Sequence, residues 1–169
     1  AAKEANKVAD LEAAKEAKAR DTIAGARKER IGLVPYLVQH GMASARDVAA
    51  CAAEEFGDPL IDLSALSVDA IPKGLVDHNL LVKHHAVPLF KRGNRLYVAV
   101  SDPTNLQAFE EIRFNTGLNV ETIVAEENKL SQLLEAMTSE AEGSAFDELD
   151  EDLEDIDVGG GDEKKDSDD

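Results

Sequence analysis

Past residue 85 the hydrophobic positions gather into short blocks. Ala86 to Phe90 and Leu96 to Val100 are apolar runs, with Lys91-Arg92-Gly93-Asn94 between them. Two β-rich runs around a tight, Gly-containing turn predict a hairpin. Ser101-Asp102-Pro103-Thr104-Asn105 then stops the second strand. Asp102 or Thr104 offers an oxygen to the free amides of a following first turn, and Pro103 suits an N-terminal helical position. A helix, a strand and a second helix complete the block through Met137.

Upstream the period is helical. The first 30 residues are dominated by Ala, Glu, Lys and Arg, all strong helix formers. Ala1, Ala5, Val8, Leu11 and Ala14 give a narrow apolar stripe. One long helix, or two broken near Arg20-Asp21, is expected, with Gly25 a weak point. Leu33 to Gly41 predicts a short helix that Gly41 ends. Ser44 caps the next helix, with Asp47 favouring its positive end, and Val48, Cys51, Ala52 and Phe56 form its apolar face. Pro59 to Leu63 predicts a short strand, Ala70-Ile71-Pro72 a helical turn, and Gly74 to His84 a helix.

The pattern therefore predicts an α+β protein. A helical front half, residues 1–56, precedes a small sheet with flanking helices, residues 57–139, and an acidic tail, residues 140–169, follows. That tail holds 15 of the 35 acidic residues against Lys164 and Lys165, so it carries −13 of the net −17. Its large hydrophobes are few, and the bland expectation is a disordered, flexible linker. The sharper alternative notes that Phe146, Leu149, Leu153 and Ile156 are spaced 3, 4 and 3, as in an acidic amphipathic segment that folds on a partner. With the tail set aside, the rest is near neutral, which gives nucleic-acid binding no electrostatic basis.

The single cysteine, Cys51, excludes an internal disulfide and fits a cytosolic compartment. It reads as a small core residue, with a reactive thiol the alternative. No apolar run is long enough for a transmembrane helix. His40, His78, His84 and His85 are not at ligand spacing with one another or with Cys51, so no metal site is expected. They read as helix-end or surface residues. Glu110-Glu111 and Glu126-Glu127 read as solvent faces, and Lys91, Arg92 and Arg95 as a solvated turn or a small docking patch.

Four segments in order, EEFGDPLIDL, PLFKRGNRL, AVSDPTN and FNTGLNVE, carry a resemblance. They resemble the N-terminal regulatory domain of PilB-type type IV pilus assembly (extension) ATPases and their type II secretion relatives. The similarity runs from about residue 30 to residue 138. It implies a cytoplasmic domain, peripheral to the inner membrane through partners, that couples a PilZ-type adaptor and the inner-membrane platform to a motor. The parent motor would be a homo-hexamer using ATP and Mg to drive pilin polymerisation. Such motors carry a G-x-x-x-x-G-K-[ST] loop, and this sequence has none. The chain thus reads as the front part of a longer protein, not as an enzyme, and no cofactor is expected in it. The PLFKRGNRL segment favours the pilus version over a type II secretion platform-docking domain.

Some relatives bind cyclic di-GMP through tandem motifs, R-L-G-x-x-L, ten residues, L-x-x-x-L-x-x-Q. On this resemblance Gly32 stands at the Arg, Leu33 and Leu37 at the first leucines, Val34 at the Gly, Val48 and Ala52 at the later leucines, and Glu55 at the Gln. The apolar frame survives and the polar contacts do not. A carboxylate at the amide position repels a dianion, although Arg30 lies two residues from Gly32. A direct cyclic di-GMP sensor is therefore the rival reading. For partner binding the front half is too thin to cover its own large side chains. Leu33, Tyr36, Leu37 and Met42 are the candidates, Tyr36 foremost; the alternative packs Tyr36 and Leu37 on Phe56. The purified chain should release no phosphate from ATP above background in a steady-state assay, because no Gly-rich loop with a following Lys is there to cradle phosphates.

Overall fold

A computed structural model describes residues 2–154. Helix α1 (Ala2–Glu29) is continuous, so of the two expected alternatives the single long helix forms and the break near Arg20-Asp21 does not. Strong helix formers carry it through, and the Thr22 hydroxyl donates back to the Lys18 carbonyl at 2.8 Å. Helix α2 (Leu33–Gln39) follows a connection in which Arg30 takes a left-handed φ of 58°. Gly41, at φ 63°, ends α2 as predicted. The Gly41 amide donates to the Val38 carbonyl and the Met42 amide to the Leu37 carbonyl, which is a Schellman closure.

Ser44 caps α3 (Ala45–Phe56) by accepting from the Asp47 amide at 3.1 Å. The packed face differs from the expected one. Ala49 is buried and Ala45, Val48, Ala52 and Ala53 are half-buried, whereas Cys51 and Phe56 are exposed. Small side chains at 45, 48, 49, 52 and 53 form a complete helical stripe. They let α3 approach β1, β4 and α6 (ranges below) closely. Cys51 is thus not a core residue.

Strand β1 (Leu60–Ile61) is shorter than predicted. Asp62 accepts the Ser64 amide at 2.9 Å, which turns the chain into a 3₁₀ turn and delivers Leu63 to the core. A second 3₁₀ turn spans Val68–Ala70. Helix α4 (His78–His84) begins later than expected. Gly74 adopts φ 72° and belongs to a turn, and Asp77 supplies the cap by accepting from the Asn79 amide.

The hairpin forms as β2 (Ala86–Arg92) and β3 (Arg95–Val100), joined by Gly93-Asn94 with Gly93 at φ 60°. A glycine first in a two-residue loop is a preferred hairpin closure. Lys91 and Arg92 lie inside β2 and pair with Leu96 and Arg95. Helix α5 (Leu106–Thr116) is capped by neither residue predicted. Asn105 accepts from the Ala108 amide, while Asp102 is occupied by the amide and hydroxyl of Thr104. Pro103 therefore sits in the turn before the helix.

Strand β4 (Asn119–Ala125) completes a four-stranded sheet of order β1-β4-β3-β2. β1 and β3 both run parallel to β4, and β2 is antiparallel to β3. Pro88 costs no ladder bond on an edge strand, where the register also slips between Pro88 and Phe90. Helix α6 (Glu127–Glu154) covers the sheet through Leu130, Leu133 and Leu134. With Val87, Leu96, Val98, Ile112 and Val124 these residues form one core. The backbone of α6 runs past residue 140, where the linker was expected to start, because a docked first half supplies the nucleus that a Glu-rich continuation needs. Residues 155–169 lie outside the described residues.

The front half meets the rest through α2 and α3, and α1 packs on α2. Gly25 makes that second contact possible. A Cβ there would collide with the Tyr36 hydroxyl and stand 2.9 Å from its Cζ. Gly25→Ala should therefore destabilise the α1–α2 contact by about 1–3 kcal/mol, although alanine alone would favour the helix by about 1 kcal/mol. Hydrogen exchange checks this: amides from Thr22 to Glu29 should lose protection while those of β3 and β4 keep theirs.

Candidate docking surface

Helices α1 and α2 enclose a groove of about 380 Å³ lined by Lys15, Lys18, Ala19, Thr22, Ile23, Leu33, Leu37 and Met42. Near its C-terminal end α1 is seated on α2, with Gly25 against Tyr36. Ala26 is buried there, whereas Leu11 and Ile23 stay exposed. Leu33 is 37% and Met42 47% exposed. Three of the four residues expected to meet a partner, Leu33, Leu37 and Met42, thus share one surface. Tyr36 is placed elsewhere. It is half-buried, its hydroxyl lies against Gly25, and its ring packs on His40 at a centroid distance of 4.1 Å. Only the spacing of Gly25 within an Ala-rich helix could have signalled that contact.

The positions matching the cyclic di-GMP motif are spread out. Gly32 is the N-cap of α2 and contributes no side-chain cap. With Arg30 it borders a cleft of about 320 Å³ that continues to Lys83, His84, His85, Ser101 and Asn105. Val48 and Ala52 serve the packed side of α3, and Glu55 is exposed near its end. None of these last three lines that cleft.

Lys83, His84 and His85, which line the cleft, each meet a carboxylate outside its lining, and the sequence did not disclose these contacts. Glu111 Oε2 lies 2.8 Å from Lys83 Nζ and 2.7 Å from His84 Nε2, and Gln107 donates to Oε1 at 3.0 Å. The Lys83 hydrogen bond, with those of His84 and Gln107 behind it, lowers the Glu111 pKa to about 2. His85 takes a left-handed φ of 53° at the end of α4, and its Nε2 lies 2.7 Å from Glu127 Oε1. Ser131 donates to the same oxygen at 3.1 Å. Glu127 is only 3% exposed, and its Oε2 is buried without a partner. Glu111 and Glu127 are therefore not solvent-face residues, and His84 and His85 are not idle helix ends. Glu127 is tolerated because it opens α6, where the helix dipole favours an anion. Lys129 bridges Asp62 and Glu126, both at 2.9 Å, and its pKa is raised chiefly by Asp62. Asp62 is lowered in turn, first by its bond from the Ser64 amide.

Among the described residues no three His, Cys, Asp or Glu side chains converge as metal ligands. Nor is any described helix long and apolar enough to cross a membrane.

The family model of the MshEN domain matches residues 56–144. The type IV pilus assembly ATPase PilB of Pseudomonas aeruginosa is 35% identical over 139 residues, 82% of this chain and 25% of that protein. PilB of Acinetobacter baylyi is 40% identical over 131 residues, 76% of this chain and 23% of that protein. The chain thus spans about a quarter of the length of these relatives. Among solved structures, the N-terminal domain of XpsE superposes with a TM-score of 0.58 at 29% identity, covering 74% of this chain and 90% of that one.

The Glu111 cluster makes a prediction with a defined sign. The folded pKa of about 2 lies below the ordinary 4.5. The stability it contributes is complete above pH 4.5 and is lost as pH falls toward 2. Glu111→Gln should therefore melt below the unsubstituted chain at neutral pH. The two melting temperatures should converge between pH 4.5 and 2, as followed by circular dichroism.

Proposed function

The chain belongs to the MshEN domain family, and from that premise we propose that it is the N-terminal docking and regulatory domain of a type IV pilus assembly ATPase. On this reading it joins a PilZ-type adaptor and the inner-membrane platform to a hexameric motor carried further along the parent protein. The parent hydrolyses ATP with Mg and drives pilin polymerisation at the cytoplasmic face of the membrane. The identity to two PilB proteins over most of this chain supports the pilus assignment. The match to a separately solved N-terminal domain supports a front domain distinct from the motor.

The observation that carries the docking role is the α1–α2 groove. Ile23, Leu33 and Met42 are large apolar side chains exposed along it, and two lysines stand at its edge. A surface that joins apolar residues to a polar rim is what a protein partner recognises. Direct sensing of cyclic di-GMP has less behind it. Gly32 brings no side chain, and Glu55 stands outside the cleft that Gly32 borders.

Calorimetric titration of the chain with a PilZ-type adaptor is the test. Met42→Glu places a charge on an exposed groove position and should weaken adaptor binding at least tenfold, about 1.4 kcal/mol, with an unchanged circular dichroism spectrum. Full binding by a folded Met42→Glu variant would move the site away from this groove.

A further inference from the structure

The groove has a matching shape of charge and apolarity elsewhere in the same chain. Its lining includes Lys15 and Lys18 and no carboxylate. In sequence, Phe146, Leu149, Leu153 and Ile156 recur every three or four residues, and seven carboxylates lie among them. The backbone is helical through Glu154, and in the sequence that spacing is the period of an amphipathic helix. A trough that joins two lysines to apolar side chains complements a segment whose sequence alternates hydrophobes with carboxylates.

We propose that the α1–α2 groove receives the acidic segment 146–156 of a second copy of this chain. A second copy is the occupant because of how α6 is built. Its first half is held in the core by Leu130, Leu133 and Leu134, and the helix continues from there without a break to Glu154. The acidic end thus lies up to about 30 Å beyond Leu134 along a straight helix, and folding back would require unwinding it. The inference rests on the docking reading of the same groove and adds its regulation: a neighbouring subunit's helix and an adaptor exclude one another. Net charge opposes self-association, since each chain carries −17. Most of that charge is on the inserted segment and its continuation, and the receiving half is near neutral. At about 0.15 M salt the Debye length is near 8 Å, so long-range repulsion is screened while contact pairs persist.

Sedimentation velocity on the full chain at that salt, over a rising concentration series, reads the outcome. Reversible association is expected. Lys15→Glu with Lys18→Glu, both on an exposed helix face, should weaken it about tenfold or more, as should Leu149→Ser with Leu153→Ser. Lys15 and Lys18 are exposed and lie outside the core. Mixing the two variants should restore a dimer, because one supplies an intact groove and the other an intact acidic segment. A chain that stays monomeric throughout, or variants that fail to complement, would overturn the proposal. Intramolecular docking would appear as a monomer whose groove amides lose protection in the Leu149→Ser, Leu153→Ser variant, and that also overturns it. If association fails while the adaptor still binds at Met42, the docking reading stands and only the self-contact falls. If both fail, the groove is not a docking site.

Discussion

The parallel pairing of β3 with β4 is the constraint on which the rest of this molecule depends. Two consecutive parallel strands cannot be joined by a tight turn and need a crossover. Residues 101–118 supply it, with α5 pinned by the fully buried Ile112. Once β3 and β4 lie side by side, both are interior, and each needs a further neighbour. The hairpin gives β2 to one side, and the two residues of β1 suffice on the other. Chain exit from β4 then places α6 directly on the sheet, where Leu130 is completely enclosed. The Asn119 amide donating to the Asn94 carbonyl at 2.9 Å ties the start of β4 to the hairpin turn and fixes the register.

What could be read in the residues was what local chemistry alone decides. The hairpin, the Ser44 cap and the Gly41 stop each depend on a few adjacent side chains, and each forms where expected. What could not be read depended on distant partners. Cys51 and Ala49 are equally plausible inner residues of an alanine-rich helix, and only the approach of β1, β4 and α6 chooses between them. Asp102, Thr104 and Asn105 are all competent caps. Asp102 is consumed by Thr104, which leaves the role to Asn105. Gly74 matches a helical stretch by composition, but its positive φ turns the chain instead.

The candidate surface divides along the same line. Leu33, Leu37 and Met42 were legible as surplus hydrophobes of a thin helical half, and they share one groove. Tyr36 was legible as large and aromatic but not as the side chain that a glycine on α1 would receive. Glu111 and Glu127 looked like any exposed Glu-Glu pair, because the residues that meet them, Lys83, His84 and His85, come from a separate segment, α4 and its C-cap. Carboxylates paired across elements are invisible to spacing arguments. The sequence pattern also placed the end of the ordered domain near residue 139, where hydrophobes thin out. Helix α6 continues because cooperative extension needs no burial of its own once the helix has been started.

That continuity makes α6 a mechanical element. One rod is rooted in the sheet at Leu130 and emerges at Glu154. Leu130 and Leu134 tie its first half to the core beneath β2 and β3, and Gly143 is the weakest helix former between that half and the acidic one. A load on the acidic end therefore meets Gly143 before it meets the sheet.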